Sequence, residues 1–308
     1  MRKTCLDMVY ELAQKDERVV FIGSDLGPGV LEEFRQTIPD RFYMEGVSEA
    51  NIIGIAAGLA MEGYIPYVNT IATFLTRRCF EQISMDLCLH NLPVRLIANG
   101  GGLVYAPLGP THIAIDDVAL MRSQPNMAVV APTDKAQMKS LMLETLEWQS
   151  PLYIRLGKGG DPIIPGQTDN FKIGQAMIAK PIGDILIAAT GVMVGRAIAA
   201  AEILEQAGLS CGVIDFHTVK PLDQEVLLSE AAKVNLLVTL DEHFLTGGLG
   251  SAITDCLIDE AKFTLPQILR IGIDDAFTTG YGSQDSLMEV LGLQPPQIAA
   301  AIQSGFKP

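Results

Sequence analysis

The sequence predicts an α/β fold built from two domains, each with a parallel sheet. Short β-branched runs alternate with amphipathic stretches, which is the pattern of parallel βαβ units. The alternation is interrupted at 157–175, where glycine, proline and polar residues dominate. The chain of 308 residues is also longer than one ordinary hydrophobic core requires. We therefore expect a first domain at 1–165, a linker at 166–180 and a second domain at 181–308.

Eight apolar runs are the predicted strands, because each is short, rich in β-branched residues and bounded by turn residues. Those of the first domain read RVVFIGSD, YIPYVNT, PVRLIANGG, MAVVAPT and PLYIRLGK. Those of the second domain read DILIAATG, CGVIDFH and NLLVTLDEH. Helices are predicted between them at 50–63, 134–148 and 193–208, and the last of these ends at Gly208, a residue type favoured at helix C-termini.

Composition and charge exclude several classes of protein. Hydrophobic residues make up 48% and charged residues 19%, which is a soluble, globular balance, and no apolar run of about 18 residues predicts a membrane span. The net charge of −14 without a basic cluster argues against nucleic-acid binding. The first residues are charged and lack an apolar signal core, and the five cysteines form no CxxC pair, so a cytoplasmic location is expected. The four histidines show no zinc-ligand spacing, so no metal site is predicted within this chain.

A glycine- and alanine-rich helix carries the most informative acidic residue. In the segment MEGVSEANIIGIAAGLAMEG, Ser48 is a suitable N-cap and Glu49 falls in the first turn. The small residues let this helix approach a neighbouring backbone closely. Acidic residues favour helix N-termini because of the helix dipole, so these features alone leave open whether Glu49 is structural or catalytic.

The residues after Glu49 form an ordered series of motifs. A G-x-x-P-Y run is followed by a threonine, an aromatic residue, a basic residue and an acidic residue before glutamine; these are 63–67, Thr70, Phe74, Arg77, Glu81 and Gln82. This series resembles the pyrimidine-binding segment of transketolases and of the related deoxyxylulose-phosphate synthases. GPTHIAIDDVALMRSQPNM and PLYIRLGK resemble later parts of that domain, while GLSCGVIDFHTVKPLD, LDEHFLTGGLGSAI and IGIDDAFTTGYG resemble the transketolase C-terminal domain. The resemblance spans nearly the whole chain.

The resemblance implies an enzyme that uses thiamine diphosphate. Glu49 would activate this cofactor by sharing a proton with its aminopyrimidine ring. Phe74 would stack on that ring, and Asp25 and Arg77 match family positions near the cofactor. Each has an ordinary alternative; for example, Phe74 could be a plain core residue and Asp25 a turn aspartate.

The resemblance also implies substrate contacts. His112, in the GPTH motif, would contact substrate oxygens and assist proton transfer, and Arg155 would hold a sugar phosphate unless it forms a structural ion pair. His243 is expected to be structural. Two departures from the family leave the sugar open: Leu108 stands where the family has an aspartate, and the glycine run 100–102 stands at a channel histidine.

A partner subunit is also implied. The Gly-Asp-Gly motif of the family's metal site is absent from this sequence. We therefore expect an N-terminal transketolase subunit to supply the domain that binds the diphosphate through Mg²⁺ or Ca²⁺. The simplest assembly is a two-plus-two heterotetramer with two-fold symmetry.

Ketol transfer is the first functional hypothesis: a two-carbon unit moves from a ketose, or ketose phosphate, to an aldose. The alternatives are a condensation like that of deoxyxylulose-phosphate synthase and the beta subunit of a 2-oxoacid dehydrogenase, which both release carbon dioxide. A fourth possibility is a non-catalytic subunit that has kept the fold. The presence of Glu49 argues against that possibility.

Overall fold

The computed structural model describes residues 1–24, 31–168 and 170–306, which form two mostly parallel β-sheets flanked by helices. The predicted α/β fold class with two parallel-sheet units is confirmed. The strands are β1 Val19–Gly23, β2 Phe42–Met44, β3 Ile65–Ile71, β4 Arg95–Asn99, β5 Ala128–Val130, β6 Leu152–Leu156, β7 Met177–Lys180, β8 Ile185–Ala189, β9 Cys211–Asp215, β10 Thr218–Lys220, β11 Leu236–Phe244 and β12 Gln267–Ile273.

The helices alternate with these strands along the chain. They are α1 Arg2–Lys15, α2 Glu32–Thr37, α3 Glu49–Met61, α4 Ala72–Thr76, α5 Phe80–Gln82, α6 Asp117–Arg122, α7 Lys135–Thr145, α8 Met193–Gln206, α9 Gln224–Ala231, α10 Leu249–Glu260, α11 Gln284–Val290 and α12 Pro295–Gly305. Short 3₁₀ turns lie at Pro39–Arg41 and Ala106–Leu108, and a π-helical segment lies at Ile83–Cys88.

The first sheet has the strand order β10-β5-β6-β4-β3-β1-β2. Its neighbours pair in parallel except for β10, which comes from the second half of the chain and pairs antiparallel with β5. Because the strands are parallel, the carboxyl ends of β1, β3, β4 and β6 meet at one edge. Open parallel sheets bind their ligands at this edge.

The second sheet has the order β12-β11-β8-β9-β7. Strands β12, β11, β8 and β9 are parallel, and β7 is an antiparallel edge strand against β9. Strand β7 lies within the stretch 166–180 that the sequence indicated as a linker.

Buried strands and small-residue helices form the cores. Strands β1, β4, β6, β8 and β9 are buried along their whole length, as expected for parallel strands covered on both faces. Helix α3 buries Ile52, Ile53 and three alanines in the same apolar cluster as Val68 of β3. Full burial of each such isoleucine contributes roughly 1.5–3 kcal/mol. This packing fixes the start of α3 beside the carboxyl end of β3.

The cysteines are free and buried. Within the described ranges, no helix combines the length and the apolar character that crossing a bilayer requires.

Candidate active site

Glu49 is the first residue of α3, and only 3% of it is exposed. Ser48 stands at the predicted N-cap position, but its side chain does not cap the helix; its Oγ donates to the carbonyl of Glu45 instead, at 2.8 Å. A buried carboxylate needs a partner, because burial of an unpaired charge is costly. The group that pairs with Glu49 therefore indicates which kind of ligand the site can accommodate.

The partner of Glu49 is Arg78. Its Nη1 donates to Oε2 of Glu49 at 2.7 Å, and its guanidinium lies over the ring of Phe74, 4.3 Å from the centroid. Phe74 and Arg78 are four residues apart in a helical turn, which places them on one face. The sequence analysis selected Arg77 and missed Arg78. The spacing from Phe74 was the signal that could have found it.

Arg77 points to a different partner. Its Nε and Nη2 each donate to a carboxylate oxygen of Asp116 at 2.8 Å, and Nη2 also donates to the carbonyl of Ile113 at 3.2 Å. These contacts join the end of α4 to the loop that carries His112. A role of Arg77 at the cofactor stays a prediction, and the contacts present suit a residue that positions this loop.

His112 extends the cluster around Glu49. Its ring lies edge-on to Phe74 with the centroids 5.0 Å apart, and the ring of Tyr105 is 6.5 Å away on a similar edge-on approach. Nδ1 of His112 shares a hydrogen bond of 2.9 Å with the hydroxyl of Thr111. The structure thus links Glu49 to Phe74 through Arg78, and Phe74 to His112 by ring contact. Asp25 lies outside the described residues.

The glycine run 100–102 allows three side chains to approach the backbone closely. Gly100 and Gly102 have positive φ values of 76° and 64°. A β-carbon at 100, 101 or 102 would collide with Tyr105, Arg155 or Glu242, respectively. The ring of Tyr105 therefore fills the space directly beside Gly100. Leu108, half exposed, offers no hydrogen-bond acceptor in place of the family's aspartate.

Arg155 forms the buried ion pair that the sequence left as an alternative. Its Nε and Nη2 donate to the two oxygens of Asp117 at 2.9 and 3.0 Å, and Nη2 also donates to the carbonyls of Ala114 and Glu242. Burial lowers the pKa of Arg155, but the nearby carboxylates of Asp117 and Glu242 outweigh this and raise it overall. Among the described contacts, Nη1 alone has no protein partner. Phosphate binding by Arg155 remains a prediction that rests on this one nitrogen.

Glu242 is a buried acid that the sequence analysis missed. Its Oε1 accepts hydrogen bonds from the Leu103 backbone N–H at 2.7 Å and from Nε2 of Gln284 at 2.8 Å. Burial raises the pKa of Glu242 to about 7, although Arg155 and these hydrogen bonds act in the opposite direction. The adjacent His243 is buried, and its Nε2 accepts the backbone N–H of Ala119 at 3.2 Å, as a structural residue does.

Within the described ranges, no group of three or more His, Cys, Asp or Glu residues is arranged to hold a metal ion.

Comparison with known proteins identifies the family. The chain matches the transketolase pyrimidine-binding domain over residues 1–160 and the transketolase C-terminal domain over residues 174–298. The chain belongs to the transketolase family. It is a transketolase subunit, hence part of a transferase, and the family implies thiamine diphosphate as cofactor and a partner subunit.

Two similar proteins have nearly the same length as this transketolase subunit. A 6-deoxy-6-sulfo-D-fructose transketolase subunit of a Clostridium species is 37% identical, and the alignment covers 98% of this chain and 92% of that protein. A solved structure described as a split gene transketolase, inactive beta4 tetramer, is 35% identical with a TM-score of 0.90, and covers 99% and 97% of the two chains. The 1-deoxy-D-xylulose-5-phosphate synthase of Syntrophotalea carbinolica is 36% identical, but this chain spans only 46% of its length.

Proposed function

We propose that this chain is the cofactor-activating subunit of a split transketolase that moves a two-carbon ketol unit from a ketose to an aldose. The observation that carries this proposal is the buried carboxylate of Glu49 at the start of α3, which Arg78 links to the ring of Phe74, with His112 in edge-on contact with the same ring. The equal length of the split relatives supports the division of the enzyme into two chains.

The residues present fit an aminopyrimidine ring. The guanidinium of Arg78 is flat, carries N–H donors, stacks on Phe74 and is bound by Glu49. An aminopyrimidine has the same flat shape and can use the same two partners. Glu49 and Phe74 are therefore the residues we expect to hold that ring, with Asp25 and Arg77 as further candidates.

The chain's own residues have distinct roles in this proposal. Thiamine diphosphate supplies the nucleophilic carbon that accepts and releases the two-carbon unit. With the cofactor bound, Glu49 would share a proton with the aminopyrimidine ring, and the burial of Glu49 would strengthen that interaction by excluding water. Phe74 fixes the plane of the ring, which contributes roughly 0.5–1.5 kcal/mol beyond simple burial.

His112 is the candidate for proton transfer at the substrate. Its hydrogen bond to Thr111 orients the imidazole, and its other nitrogen has no protein hydrogen bond among the described contacts. Histidine can both give and take a proton near neutral pH, which the making and breaking of a carbon–carbon bond next to hydroxyl groups requires.

The partner completes the enzyme in this proposal. An N-terminal transketolase subunit supplies the diphosphate-binding domain with Mg²⁺ or Ca²⁺, in a two-plus-two assembly.

The proposal also includes the domain limits 1–165 and 181–308, joined by the linker 166–180. A cytoplasmic location is supported by the free, buried cysteines, which suit a reducing compartment.

Substitution of Glu49 by glutamine tests the function. Glutamine keeps the size of the side chain but cannot share the proton, so turnover of the reconstituted complex should fall by roughly 10²–10⁴-fold. The measurement is product formation from a ketose phosphate and an aldose, with carbon dioxide monitored in parallel. Glu62→Gln is a matched control, because Glu62 is the exposed residue at the C-terminal end of the same helix.

Three outcomes separate the hypotheses. Loss of turnover in Glu49→Gln alone supports the proposal. Unchanged turnover would contradict the role of Glu49 and favour the non-catalytic subunit. Release of carbon dioxide from a 2-oxoacid, instead of ketol transfer, would favour the synthase-like or dehydrogenase-like alternative.

A further inference from the structure

Tyr281 is an exposed aromatic residue of the second half of the chain that touches the loop carrying His112. It lies between β12 and α11, and 71% of it is exposed to solvent. Its ring nevertheless rests on Gly109, because a β-carbon at position 109 would lie 2.5 Å from Cε1 and 2.8 Å from Cζ of Tyr281. Gly109 is buried and has a positive φ of 78°. Glycine allows both this backbone conformation and this close contact.

Gly109 begins the turn that ends at His112. The carbonyl of Gly109 accepts the backbone N–H of His112 at 3.0 Å, and the N–H of Gly109 donates to the carbonyl of Ala106 at 3.1 Å. Two consecutive turns therefore meet at Gly109. A group that fixes the backbone of Gly109 also fixes the point from which the side chain of His112 starts.

The backbone around Tyr281 is held in place, although the ring is exposed. Two residues further on, Ser283 caps α11 through reciprocal hydrogen bonds of 2.9 and 3.1 Å with Ser286. The next residue, Gln284, donates to Oε1 of Glu242 at 2.8 Å. These contacts anchor the segment from which the ring of Tyr281 projects.

The second half of the chain therefore holds the loop 103–112 near both of its ends. Glu242 accepts the backbone N–H of Leu103 at 2.7 Å, and Tyr281 covers Gly109. Because most of the tyrosine ring stays in water, it buries little apolar area and adds little to a core. Contact with the loop is what this side chain provides.

We propose that Tyr281 is a positioning residue for His112. The imidazole is oriented by its hydrogen bond with Thr111 and its edge contact with Phe74, while its backbone is placed through Gly109. A group that transfers protons needs both, because a misplacement of about 1 Å can cost roughly 10²-fold in rate. The proposal rests on the proposed function for the chemistry of His112, but not for its placement by Tyr281.

Imidazole NMR of the full chain tests this placement without any activity. The chain has four histidines, and the signals that disappear in His112→Gln assign that residue. The rings of His112 and Phe74 have centroids 5.0 Å apart, which is close enough for a nuclear Overhauser contact. In Tyr281→Ala this contact should weaken, because the loop loses its support. Tyr281→Phe keeps the ring and should retain the contact.

Phe277→Ala is the matched control for the NMR experiment. It removes an aromatic side chain of the same segment that is 78% exposed, and the contact between His112 and Phe74 should remain. An undiminished contact in Tyr281→Ala, or an equal loss in Phe277→Ala, would overturn the proposal. Equal midpoints of urea unfolding check that the variants are folded.

Kinetics of the reconstituted complex provide the second arm. Tyr281→Ala should lower kcat by roughly ten- to a hundredfold, while the affinity for thiamine diphosphate, which we expect Glu49 and Phe74 to hold, stays the same. Tyr281→Phe should keep most of the rate. An unchanged kcat in Tyr281→Ala, or equal losses in both variants, would contradict positioning by the ring. If the complex transfers no ketol unit at all, the proposed function fails, and the NMR contact still decides whether Tyr281 places His112.

Discussion

At the scale of single residues, Arg78 occupies both groups that we expect to bind the aminopyrimidine. Its guanidinium covers the face of Phe74 and neutralises Glu49. Nearly half of the Arg78 side chain (48%) is exposed, so it can leave the site without disturbing the core. A cofactor bound as proposed would therefore have to displace Arg78 from both side chains.

Arg78→Ala should consequently tighten thiamine-diphosphate binding. A half-exposed ion pair and a cation–π contact are each worth up to about 1 kcal/mol, so affinity should increase by roughly three- to thirtyfold. The measurement is calorimetric titration of the reconstituted complex with the cofactor. Arg18→Ala is the control, because it removes an exposed arginine and its ion pair with Asp16 just before β1, at the edge of the sheet opposite the site. Weaker binding in Arg78→Ala would instead mean that the guanidinium contacts the cofactor.

The sequence identified Glu49, Phe74 and His112 because motifs with fixed spacing carry them. It did not identify Arg78, because the choice between adjacent arginines depends on where the helical turn after Phe74 ends. Glu242 was not predicted as a site residue either, because its partners Leu103 and Gln284 are far away along the chain and only the fold brings them together.

At the scale of secondary-structure elements, a buried ion pair joins α6 to β6. Asp117, at the start of α6, accepts hydrogen bonds from Arg155 and from the hydroxyl of Tyr153, both on β6. This contact holds the segment that follows His112 against the sheet. The site's geometry thus depends on a charge pair that the chain cannot expose to water without unfolding.

Asp117→Asn should destabilise the chain strongly. The amide nitrogen cannot accept from Arg155, so a buried arginine loses its counter-charge at a cost of about 3–5 kcal/mol. Urea unfolding of the full chain measures this cost. Asp116→Asn is the matched neighbour: its ion pair with Arg77 is partly exposed and should cost no more than about 1 kcal/mol. Similar small losses in the two variants would show that Arg155 does not depend on Asp117.

The eight predicted strands correspond to β1, β3, β4, β5, β6, β8, β9 and β11, because buried parallel strands are continuous apolar runs that stand out from amphipathic helices. Strands β2, β7, β10 and β12 were not predicted. Thr218–Lys220 has only three residues, and its strand conformation depends on antiparallel pairing with β5, some 90 residues earlier in the chain. No local periodicity records such long-range pairing.

At the scale of the whole molecule, Glu242 connects the two sheets. It lies on β11 of the second sheet, and its carboxyl group accepts the N–H of Leu103, which follows the glycine run at the edge of the first sheet. The absence of a β-carbon at Gly102 makes room for this contact. The carboxyl group of Glu242 therefore contributes a buried hydrogen bond between the two sheets.

The pH dependence of stability should reveal this group. Burial raises the pKa of Glu242 from 4.5 to about 7, so between these values the folded chain binds more protons than the unfolded chain. The contribution of Glu242 to the free energy of unfolding is therefore lost as pH rises from about 4.5 through 7. Glu242→Gln keeps an oxygen for Leu103 and Gln284 but does not titrate. Its stability relative to the wild type should therefore improve between pH 5 and pH 8, by on the order of 3 kcal/mol at most. Urea unfolding at several pH values measures this difference.

Asp215, also buried with its pKa raised to about 7, titrates in both proteins, so its effect cancels in the comparison. Glu289→Gln is the matched control, because it removes a carboxylate at an exposed position of α11. A pH-independent difference in Glu242→Gln would mean that Glu242 is already ionised at pH 5 in the folded chain, with Arg155 compensating for its burial.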